Sequence, residues 1–365
     1  MKIKKLIGIL SVFLCLGSCK QPAKTTLFVG TYTNNGSEGI YSYTFDTETG
    51  ELKDKKLAFA MRNPSFISIS SNKKFLYAVE ETSAYANSKG SVVAFAIEGD
   101  RLSKINRDTV VGADPCHIGL SKDGKFLASS SYSGGSIAIF ELAEDGSLQP
   151  NPQQIDHQVL DSVKTSHAHA SLFTPEGLFT ADLGLDAVKR YRYNTDKFIP
   201  SEQASINLPE GAGPRHFKFS KDGTFLYVLN ELNSTITTFQ KNIQGAYISL
   251  DTQSTLDANY KGKNSCADIH LSKDGLFLYG SNRGENTIVI FKVDKETGKL
   301  TLVGRQAVKG EWPRNFSIDP TNKFLLVANK SSSNIAVFKR DIEKGTLDFL
   351  QEVKLPNPVC LMFLD

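Results

Sequence analysis

A unit of roughly 50 residues that recurs along the chain constrains its fold more than any other feature. The unit is clearest at 211–239, where two runs of alternating apolar and polar residues flank the turn Lys221-Asp222-Gly223 and a third run follows. Alternation with a period of two, bounded by Asp-Gly and Asn-Ser signals, predicts consecutive antiparallel strands. The turn position recurs in six copies of the unit, at Lys73, Gly124, Gly177, Gly223, Gly275 and Asn322.

A fourth, more variable run precedes each new copy, so that every copy predicts a four-stranded antiparallel sheet. Four strands per period of about 50 residues are typical of a β-propeller blade. A seventh copy is divided between the chain ends: 26–32 and 40–45 match the second and third strands, and 358–363 match the first. We therefore expect an all-β, seven-bladed propeller over 26–365 whose N- and C-terminal strands share one blade and close the ring. An open β-solenoid or a pair of sandwiches is the alternative.

The first 25 residues differ in character from the repeats. Three lysines precede an apolar run at 6–16 that is too short to span a bilayer comfortably, a pattern typical of a signal peptide. The run ends in Leu16-Gly17-Ser18-Cys19, which resembles a bacterial lipobox. That resemblance implies a signal peptide at 1–18, lipidation of Cys19, a tether at 19–25 and a lipid-anchored protein of the bacterial cell envelope that faces the periplasm or the cell surface. An ordinary secretory signal with an incidental cysteine is the alternative.

Charge and cysteine content exclude two classes of protein. The net charge is +3, and residues 1–18 contain three lysines and no acidic residue, so that the processed chain would be neutral (+3 − 3 = 0). We expect no nucleic-acid partner, because such binding depends on a basic excess. Cys116, Cys266 and Cys360 remain after processing, an odd number without CxxC spacing, which does not predict a disulfide framework.

The repeat also predicts where polar side chains meet. The first two strands of a blade pair antiparallel, so the start of the first and the end of the second lie at the same end of the blade, beside the central channel. At the first-strand position of Arg215 the other copies carry Cys116, His169, Ala267, Arg314 and Val359. At the second-strand position of Glu231 they carry Glu81, Tyr132, Leu183, Arg283 and Lys330.

Imidazole and charged side chains are concentrated near these positions. Five of the six histidines lie on or beside first strands, namely His117, His167, His169, His216 and His270. The cations Arg215, Arg283, Arg314 and Lys330 are joined by the acids Glu81, Glu231 and Asp268. Because the repeat requires none of them, and because Arg and Lys suit carboxylate and phosphate groups, we expect a site for a small anionic ligand at one channel mouth. The alternative is a purely structural network of buried polar groups that satisfy one another.

Five motifs carry a resemblance to a known family: EGAGPRH at 210–216, NELN at 230–233, ADIH at 267–270, NR at 282–283 and PRNF at 313–316. With the repeat, they resemble the seven-bladed propeller 6-phosphogluconolactonases of bacteria, a lactonase family that also includes fungal carboxymuconate-lactonising enzymes. The resemblance implies a sugar-lactone hydrolase without metal or other cofactor, acting on a small anionic sugar lactone or sugar phosphate. By analogy with the muconate branch, it implies a catalytic set of His169, Arg215, Glu231 and Arg283. His167 is the alternative to His169, and we expect a monomer.

Lactone hydrolysis needs a positioned water, a base that deprotonates it, and positive groups where the carbonyl oxygen gains charge. Glu231 and His169 are both candidates for the base. Arg215 and Arg283 are candidates to stabilise the oxyanion or to hold the anionic group of the substrate. The remaining polar residues are candidates for substrate binding, namely His117, His167, His216, Asp268, His270, Arg314 and Lys330.

Other interpretations stay open at the level of the sequence. His167 and His169 share one face of a strand, a spacing that also suits a metal site. Cys116 beside His117 is a candidate nucleophile pair, although a small buried cysteine is the simpler interpretation. The arginines would also suit a cycloisomerase acting on a dicarboxylate, and a non-enzymatic envelope scaffold is the third alternative. The export signal further implies either an extracytoplasmic lactone or an activity that has drifted from the family's.

Overall fold

Seven four-stranded antiparallel sheets form the structure, a computed structural model that describes residues 23–85 and 89–365. The sheets are the blades of a propeller, which confirms the prediction from the repeat. A single 3-10 turn, Gln158–Leu160, is the one helical element within the described ranges. None of the described segments forms a helix long and apolar enough to cross a membrane. The predicted signal peptide, Cys19 and most of the predicted tether lie outside the described residues.

The strands follow the chain blade by blade. Blade 1 begins with β1 (Lys24–Thr31), β2 (Gly39–Asp46) and β3 (Leu52–Ala60). Blades 2 and 3 contain β4 (Ile67–Ile69), β5 (Phe75–Tyr85), β6 (Lys89–Glu98), β7 (Arg101–Thr109), β8 (Pro115–Leu120), β9 (Phe126–Ser131), β10 (Ser136–Glu141) and β11 (Gln153–Asp156). Blade 4 contains β12 (Ala168–Thr174), β13 (Gly177–Asp182), β14 (Ala187–Asn194) and β15 (Lys197–Asn207).

The second half of the chain repeats this order. Blade 5 contains β16 (Pro214–Phe219), β17 (Phe225–Asn230), β18 (Thr235–Lys241) and β19 (Tyr247–Ser254). Blade 6 contains β20 (Ser265–Leu271), β21 (Phe277–Arg283), β22 (Thr287–Val293) and β23 (Leu300–Ala307). Blade 7 contains β24 (Pro313–Ile318), β25 (Phe324–Asn329), β26 (Asn334–Arg340) and β27 (Leu347–Lys354), and the last strand of the chain is β28 (Pro358–Phe363).

The last strand closes the ring by joining the first blade. β28 pairs antiparallel with β1 as the innermost strand of blade 1, with Leu361 opposite Val29. Every innermost strand contacts the innermost strands of the two neighbouring blades, including β24 with β28 and β28 with β4. The division of blade 1 between the chain ends is therefore confirmed. β1 begins at Lys24, slightly before the predicted domain start at residue 26.

The recurring turn position has left-handed backbone in all six copies. The φ angle is 61° at Lys73 and 65° at Asn322, and it lies between 70° and 125° at the four glycines. Glycine adopts this conformation without steric cost, and asparagine tolerates it better than most residues. The turn geometry thus explains why the repeat selects glycine at this position.

Apolar side chains fill the spaces between neighbouring blades. Between blades 5 and 6, for example, Tyr227, Leu229, Ile269 and Leu278 are completely buried. Both faces of a second strand are covered in this way, so all six residues of β17 are buried. Because apolar packing occupies the middle of the blades, polar side chains gather at the strand ends and along the channel.

Truncation of Leu361, in the closing strand, should destabilise the whole ring. Leu361 is 3% exposed and packs in the core shared by blades 1 and 7. Removing a buried leucine side chain costs about 2–5 kcal/mol, and we expect Leu361→Ala to lower the free energy of unfolding by that amount in urea denaturation. Ile342→Ala, at an exposed turn residue of blade 7, should change it by less than about 0.5 kcal/mol. Equal losses in the two variants would contradict the closing role of β28.

Candidate active site

A β-bulge opens the first strand of most blades at one end of the channel. In five of these strands the register shifts around one unpaired residue, namely Cys116, His169, Arg215, Arg314 or Val359. A sixth shift, in β20, spans Ala267 and Asp268. Because a bulge bends its strand and re-aims the side chain, the position of Arg215 is turned towards the channel mouth. The bulge was not predicted, although a proline precedes the unpaired residue in four of the five strands and was its sequence signal.

Glu231 joins two arginines across the mouth. Its Oε2 lies 2.9 Å from Nε of Arg215, and its Oε1 lies 2.9 Å from Nη2 of Arg283. Arg215 belongs to β16 and Arg283 ends β21, so the carboxylate bridges blades 5 and 6. The structure thus brings together the pair predicted from the hairpin register and adds Arg283. Both arginines also donate to backbone carbonyls of β20, at Ser265, Cys266 and Ala267.

The arginines keep Glu231 ionised. Burial opposes ionisation, but the charges of Arg283, Arg215 and Arg314 hold the pKa of Glu231 below its usual value. Burial and the charges of Arg283 and Arg314 lower the pKa of Arg215 to about 10, which leaves it protonated at neutral pH. Three guanidinium groups around one carboxylate create a positive field that attracts anions to the mouth.

Glu81 forms a second carboxylate centre, shared by blades 1, 2 and 7. It accepts hydrogen bonds from Oη of Tyr32 at 2.8 and 2.9 Å and lies 3.7 Å from Nη2 of Arg314. The guanidinium of Arg314 and the ammonium of Lys330 lie 5.2 and 6.0 Å from the centroid of the Tyr32 ring. Cations over an aromatic face are attracted by its electrons. The two cations are thereby fixed on this side of the mouth.

Tyr32 is a site residue that the sequence analysis missed. In blade 1 it occupies the position that Glu231 occupies in blade 5: each donates its backbone N–H to the residue before the first strand, Asn357 and Gly213 respectively. The register rule that found Glu231 therefore contained the signal for Tyr32. Trp312 was also missed; its ring centroid lies 5.4 Å from the guanidinium of Arg283.

Three histidine rings from neighbouring first strands lie side by side. The ring centroid of His216 is 5.3 Å from that of His117 and 5.2 Å from that of His169. Burial is the main cause that holds the pKa of His117 and of His169 well below the usual value and lowers the pKa of His216 to about 4. All three rings are therefore neutral at neutral pH.

His169 differs from the other two at Nδ1. Its Nδ1 is buried and has no hydrogen-bond partner among the described residues. By contrast, Nδ1 of His117 accepts from the backbone N–H of Ser171, and Nδ1 of His216 lies 2.8 Å from Asp268. The neutral ring of His169 is thus the one of the three that is free to accept a proton at this atom.

His167 lies at the wall of the mouth. Its ring stacks on Tyr132 with centroids 4.5 Å apart, and its Nδ1 donates to the Tyr132 carbonyl at 3.1 Å. Tyr132 also meets His169 edge-on, with centroids 5.8 Å apart. The structure therefore places both candidate histidines of blade 4 beside the site, with His169 buried and His167 partly exposed.

Asp268 lies deeper in the channel and joins two histidines. Its Oδ1 is 2.8 Å from Nδ1 of His216, and its Oδ2 is 2.9 Å from Nε2 of His270 and 2.6 Å from Nδ2 of Asn315. Burial opposes ionisation, but the attraction of His270 and the hydrogen bonds of both histidines hold the pKa of Asp268 well below its usual value. His216 and Asp268 are thus engaged in a network of their own, and His270 lies towards the turn end of blade 6, away from Arg215.

The channel narrows directly beneath the mouth. The cavity there has a volume of ≈ 10 Å³, which is room for one water molecule at most. It is lined by Ser65, Phe66, Cys116, Arg215, His216, Arg314, Asn315 and Val359. Any larger ligand must therefore bind above this layer of side chains.

Two of the alternative chemistries find little support in the geometry. The thiol of Cys116 donates to the carbonyl of His169 at 3.5 Å, and burial raises its pKa, which disfavours the thiolate that a nucleophile needs. Across residues 23–85 and 89–365, no group of three or more His, Cys, Asp or Glu side chains is arranged to hold a metal ion. His167, which the spacing paired with His169, is turned to Tyr132 instead.

Comparisons with known proteins identify the family to which this architecture belongs. Residues 26–363 match the family model described as lactonase, 7-bladed beta-propeller. A 6-phosphogluconolactonase of Bacillus subtilis is 34% identical over 346 residues, which cover 92% of this chain and 97% of that protein. A 6-phosphogluconolactonase of Formosa agariphila is 36% identical over 349 residues, with 91% and 97% covered.

Solved structures agree with these relatives. The periplasmic gluconolactonase of Pseudomonas aeruginosa superposes with a TM-score of 0.88 at 34% identity, covering 93% of this chain and 99% of that one. A protein from Lactobacillus plantarum gives a TM-score of 0.86 at 33% identity, with 94% and 100% covered. The chain therefore belongs to the seven-bladed β-propeller lactonase family.

Proposed function

We propose that the chain hydrolyses a small sugar lactone that carries an anionic group, at the channel mouth around Glu231 and without a metal ion. The observation that carries the proposal is the fixed Arg215–Glu231–Arg283 cluster next to the neutral ring of His169, whose Nδ1 has no partner among the described residues. Membership of the lactonase family and the names of the relatives support it. They also disfavour a non-enzymatic scaffold.

His169 is assigned as the general base and Glu231 as a positioning residue. Each carboxylate oxygen of Glu231 already contacts an arginine, which leaves the carboxylate engaged in ion pairs and not available to accept a proton from water. His169 is neutral and can take a proton from water at Nδ1. The water oxygen then adds to the lactone carbonyl, the bond from the carbonyl carbon to the ring oxygen breaks, and the departing oxygen receives a proton from the imidazolium.

Arg215 and Arg283 are assigned to the oxyanion. A guanidinium has five N–H donors, so each arginine keeps donors for the substrate after its contacts with Glu231 and the β20 carbonyls. These donors are held in place before the substrate arrives, which is the condition for strong stabilisation of a developing negative charge. Together with the base, they supply the groups that lactone hydrolysis needs.

Arg314 and Lys330 are assigned to the anionic group of the substrate. The ammonium of Lys330 forms no hydrogen bond or ion pair with the described side chains, apart from its contact with the Tyr32 ring. Arg314 contacts Glu81 only at 3.7 Å. A phosphate or carboxylate placed between these cations would hold the lactone ring over Arg215 and Arg283, with His167 at the wall.

Replacing His169 should abolish most of the activity. We expect His169→Asn to lower kcat by about 10²- to 10⁴-fold with little change in KM, because the base is lost while substrate contacts remain. The assay is pH-stat titration of acid release from δ-gluconolactone and its 6-phosphate. His167→Asn, two residues earlier in the chain, is the matched control and should lower kcat by less than about tenfold. A wild-type rate no faster than spontaneous hydrolysis on both lactones would refute the proposal for these substrates.

The pH dependence gives an independent check on the base. The pKa of His169 lies well below its usual value, so the ring stays neutral as the pH falls from about 8 to about 6.5. We expect kcat/KM to be constant over that range and to decrease only at lower pH, where His169 becomes protonated. A decrease centred near pH 6.5 would contradict the assignment of His169 as the base.

Replacing Lys330 should affect KM for the phosphorylated lactone but not KM for the unphosphorylated one. We expect Lys330→Met to raise KM for the 6-phosphate lactone by about tenfold and to leave KM for unphosphorylated δ-gluconolactone unchanged, because one charge-assisted contact to the phosphate is lost. Lys339→Met, at an exposed position on β26, is the control. Equal effects on both lactones would argue against a phosphate subsite at Lys330.

We further infer that the protein is a monomer in the cell envelope, anchored by a lipid on Cys19. The lipobox-like sequence supports the anchor, and a structural relative that is periplasmic supports the location in the envelope. Cys19→Ala should move the protein from the membrane fraction to the soluble fraction in a bacterial host. Cys15→Ala, inside the predicted signal peptide, should leave it in the membrane fraction. Retention of the Cys19→Ala protein in the membrane would contradict the anchor.

A further inference from the structure

A second cavity lies at the turn end of the channel, opposite the candidate active site. It occupies ≈ 710 Å³ between blades 5 and 6, beside the turns that contain Lys221 and Lys273. Similar spaces of ≈ 640 and ≈ 510 Å³ lie between blades 2 and 3 and between blades 3 and 4. Because the three volumes are similar, volume alone does not identify a binding site, whereas the side chains that line the cavities differ.

Two nitrogen-bearing side chains on the innermost strands distinguish this cavity from the other two. Lys218 lies opposite Tyr227 in blade 5, and His270 lies opposite Tyr279 in blade 6, so the two occupy the same position of the repeat. In the other five blades this position holds small, hydroxyl or apolar residues, namely Ser68, Gly119, Leu172, Ser317 and Met362. The fold thus requires neither a lysine nor a histidine here, and adjacent blades supply both.

The ammonium of Lys218 has no partner. It forms no hydrogen bond or ion pair with any described residue, and burial lowers its pKa, with only the charge of Asp268 opposing this. His270 uses Nε2 on Asp268 and makes no hydrogen bond to the described residues through Nδ1. Asp268 itself is already satisfied by His216, His270 and Asn315. Lys218 is half-buried, and a cation that is partly withdrawn from water without a counter-ion favours the binding of an anionic group.

A buried hydroxyl in the same cavity also lacks a partner. Oη of Tyr227 is buried without a hydrogen bond among the described residues. The equivalent tyrosines donate to glycine carbonyls of the next blade, Tyr77 to Gly146 at 3.0 Å and Tyr279 to Gly345 at 2.9 Å. Tyr227 therefore departs from the repeat in the one of the three inter-blade cavities that also holds Lys218.

The rest of the lining defines the class of ligand. The two acids at the rim are engaged in their own turns, Asp222 with Ser220 and Thr224 and Asp274 with Ser272. Apolar side chains from both blades form part of the wall, including Phe219, Leu271 and Val293. A ligand that fits must combine one anionic group with an apolar body.

We propose that this cavity binds a small organic carboxylate with an apolar moiety. Its carboxylate contacts Lys218 and the free nitrogen of His270 and accepts a hydrogen bond from Tyr227. Its apolar part lies against Phe219, Leu271 and Val293. The site is separate from the lactone site and does not depend on the lactonase activity.

Titration of the purified protein with benzoate, hexanoate and phenyl phosphate tests the proposal, with benzyl alcohol as the neutral control. Imidazole ¹H–¹⁵N NMR resolves the two ends of the channel, because His270 reports on this cavity and His167 on the lactone site; His270→Asn and His167→Asn assign the signals. We expect benzoate and hexanoate to shift the His270 resonance saturably with a Kd of about 1 mM or lower. Benzyl alcohol should not shift it.

Variants then locate the contacts. Lys218→Met should weaken carboxylate binding by about tenfold and Tyr227→Phe by about fivefold, because each removes one polar contact. Lys221→Met at the exposed rim and Tyr77→Phe in the matching cavity of blades 2 and 3 should change it by less than about twofold. Thermal unfolding of each variant confirms that it is folded.

Several results would overturn the proposal. They are the absence of a saturable His270 shift with either carboxylate, a shift confined to His167, and equal affinity in the wild type and the Lys218→Met variant. Tighter binding of phenyl phosphate than of benzoate would overturn the assignment of a carboxylate.

Discussion

Charge compensation around Glu231 is the interaction on which the channel mouth depends. Arg215, Arg283 and Arg314 are largely removed from water, and a buried charge without compensation costs several kcal/mol. Glu231 contacts the first two, Glu81 lies near the third, and backbone carbonyls of β20 accept further N–H groups. The Glu231–Arg283 pair links blades 5 and 6, and the Glu81–Arg314 pair links blades 2 and 7, at the end of the propeller where apolar packing stops. The groups assigned to catalysis therefore also hold the blades together there.

The mouth separates charged groups from neutral ones. Arg215 and Glu231 stay ionised at neutral pH, whereas burial keeps His117, His169 and His216 uncharged. An imidazole must be neutral to act as a base, and oxyanion donors must be in place before the substrate arrives. The repeat places the arginines of blades 5 and 7 on bulges at the rim and brings the imidazoles of adjacent blades into edge-to-face contact.

The sequence predicted the architecture well because the repeat is strict where packing and turns require it. The alternation around Gly223 and the split copy at 358–363 set blade number and closure, and the hairpin register placed Arg215 beside Glu231. Tyr32 was not predicted because its blade is divided between the two chain ends, so that its second strand does not follow its first strand in the sequence. The location of His270 was predicted wrongly because it lies two residues beyond Asp268 on β20, a step that keeps a side chain on the same face but moves it towards the turn end of the strand. The narrowing beneath the mouth was not predicted, because it is formed by side chains from several blades that lie far apart in the sequence.

The position of β28 has a consequence for the order in which the protein can be completed. The strand that β1 needs at its inner edge is the last one to be synthesised, and the hydrogen bond from Thr25 to the carbonyl of Leu364 spans 339 residues. Blades 2 to 7 are each contiguous in sequence and can form as the chain emerges, but blade 1 must wait with one edge open. Such long-range pairing is slow and leaves an unpaired strand exposed in the meantime. A chain that ends before residue 358 would therefore have six complete blades and an unpaired edge at β1. Because unpaired edge strands pair with other chains, such a truncated protein would be prone to aggregation.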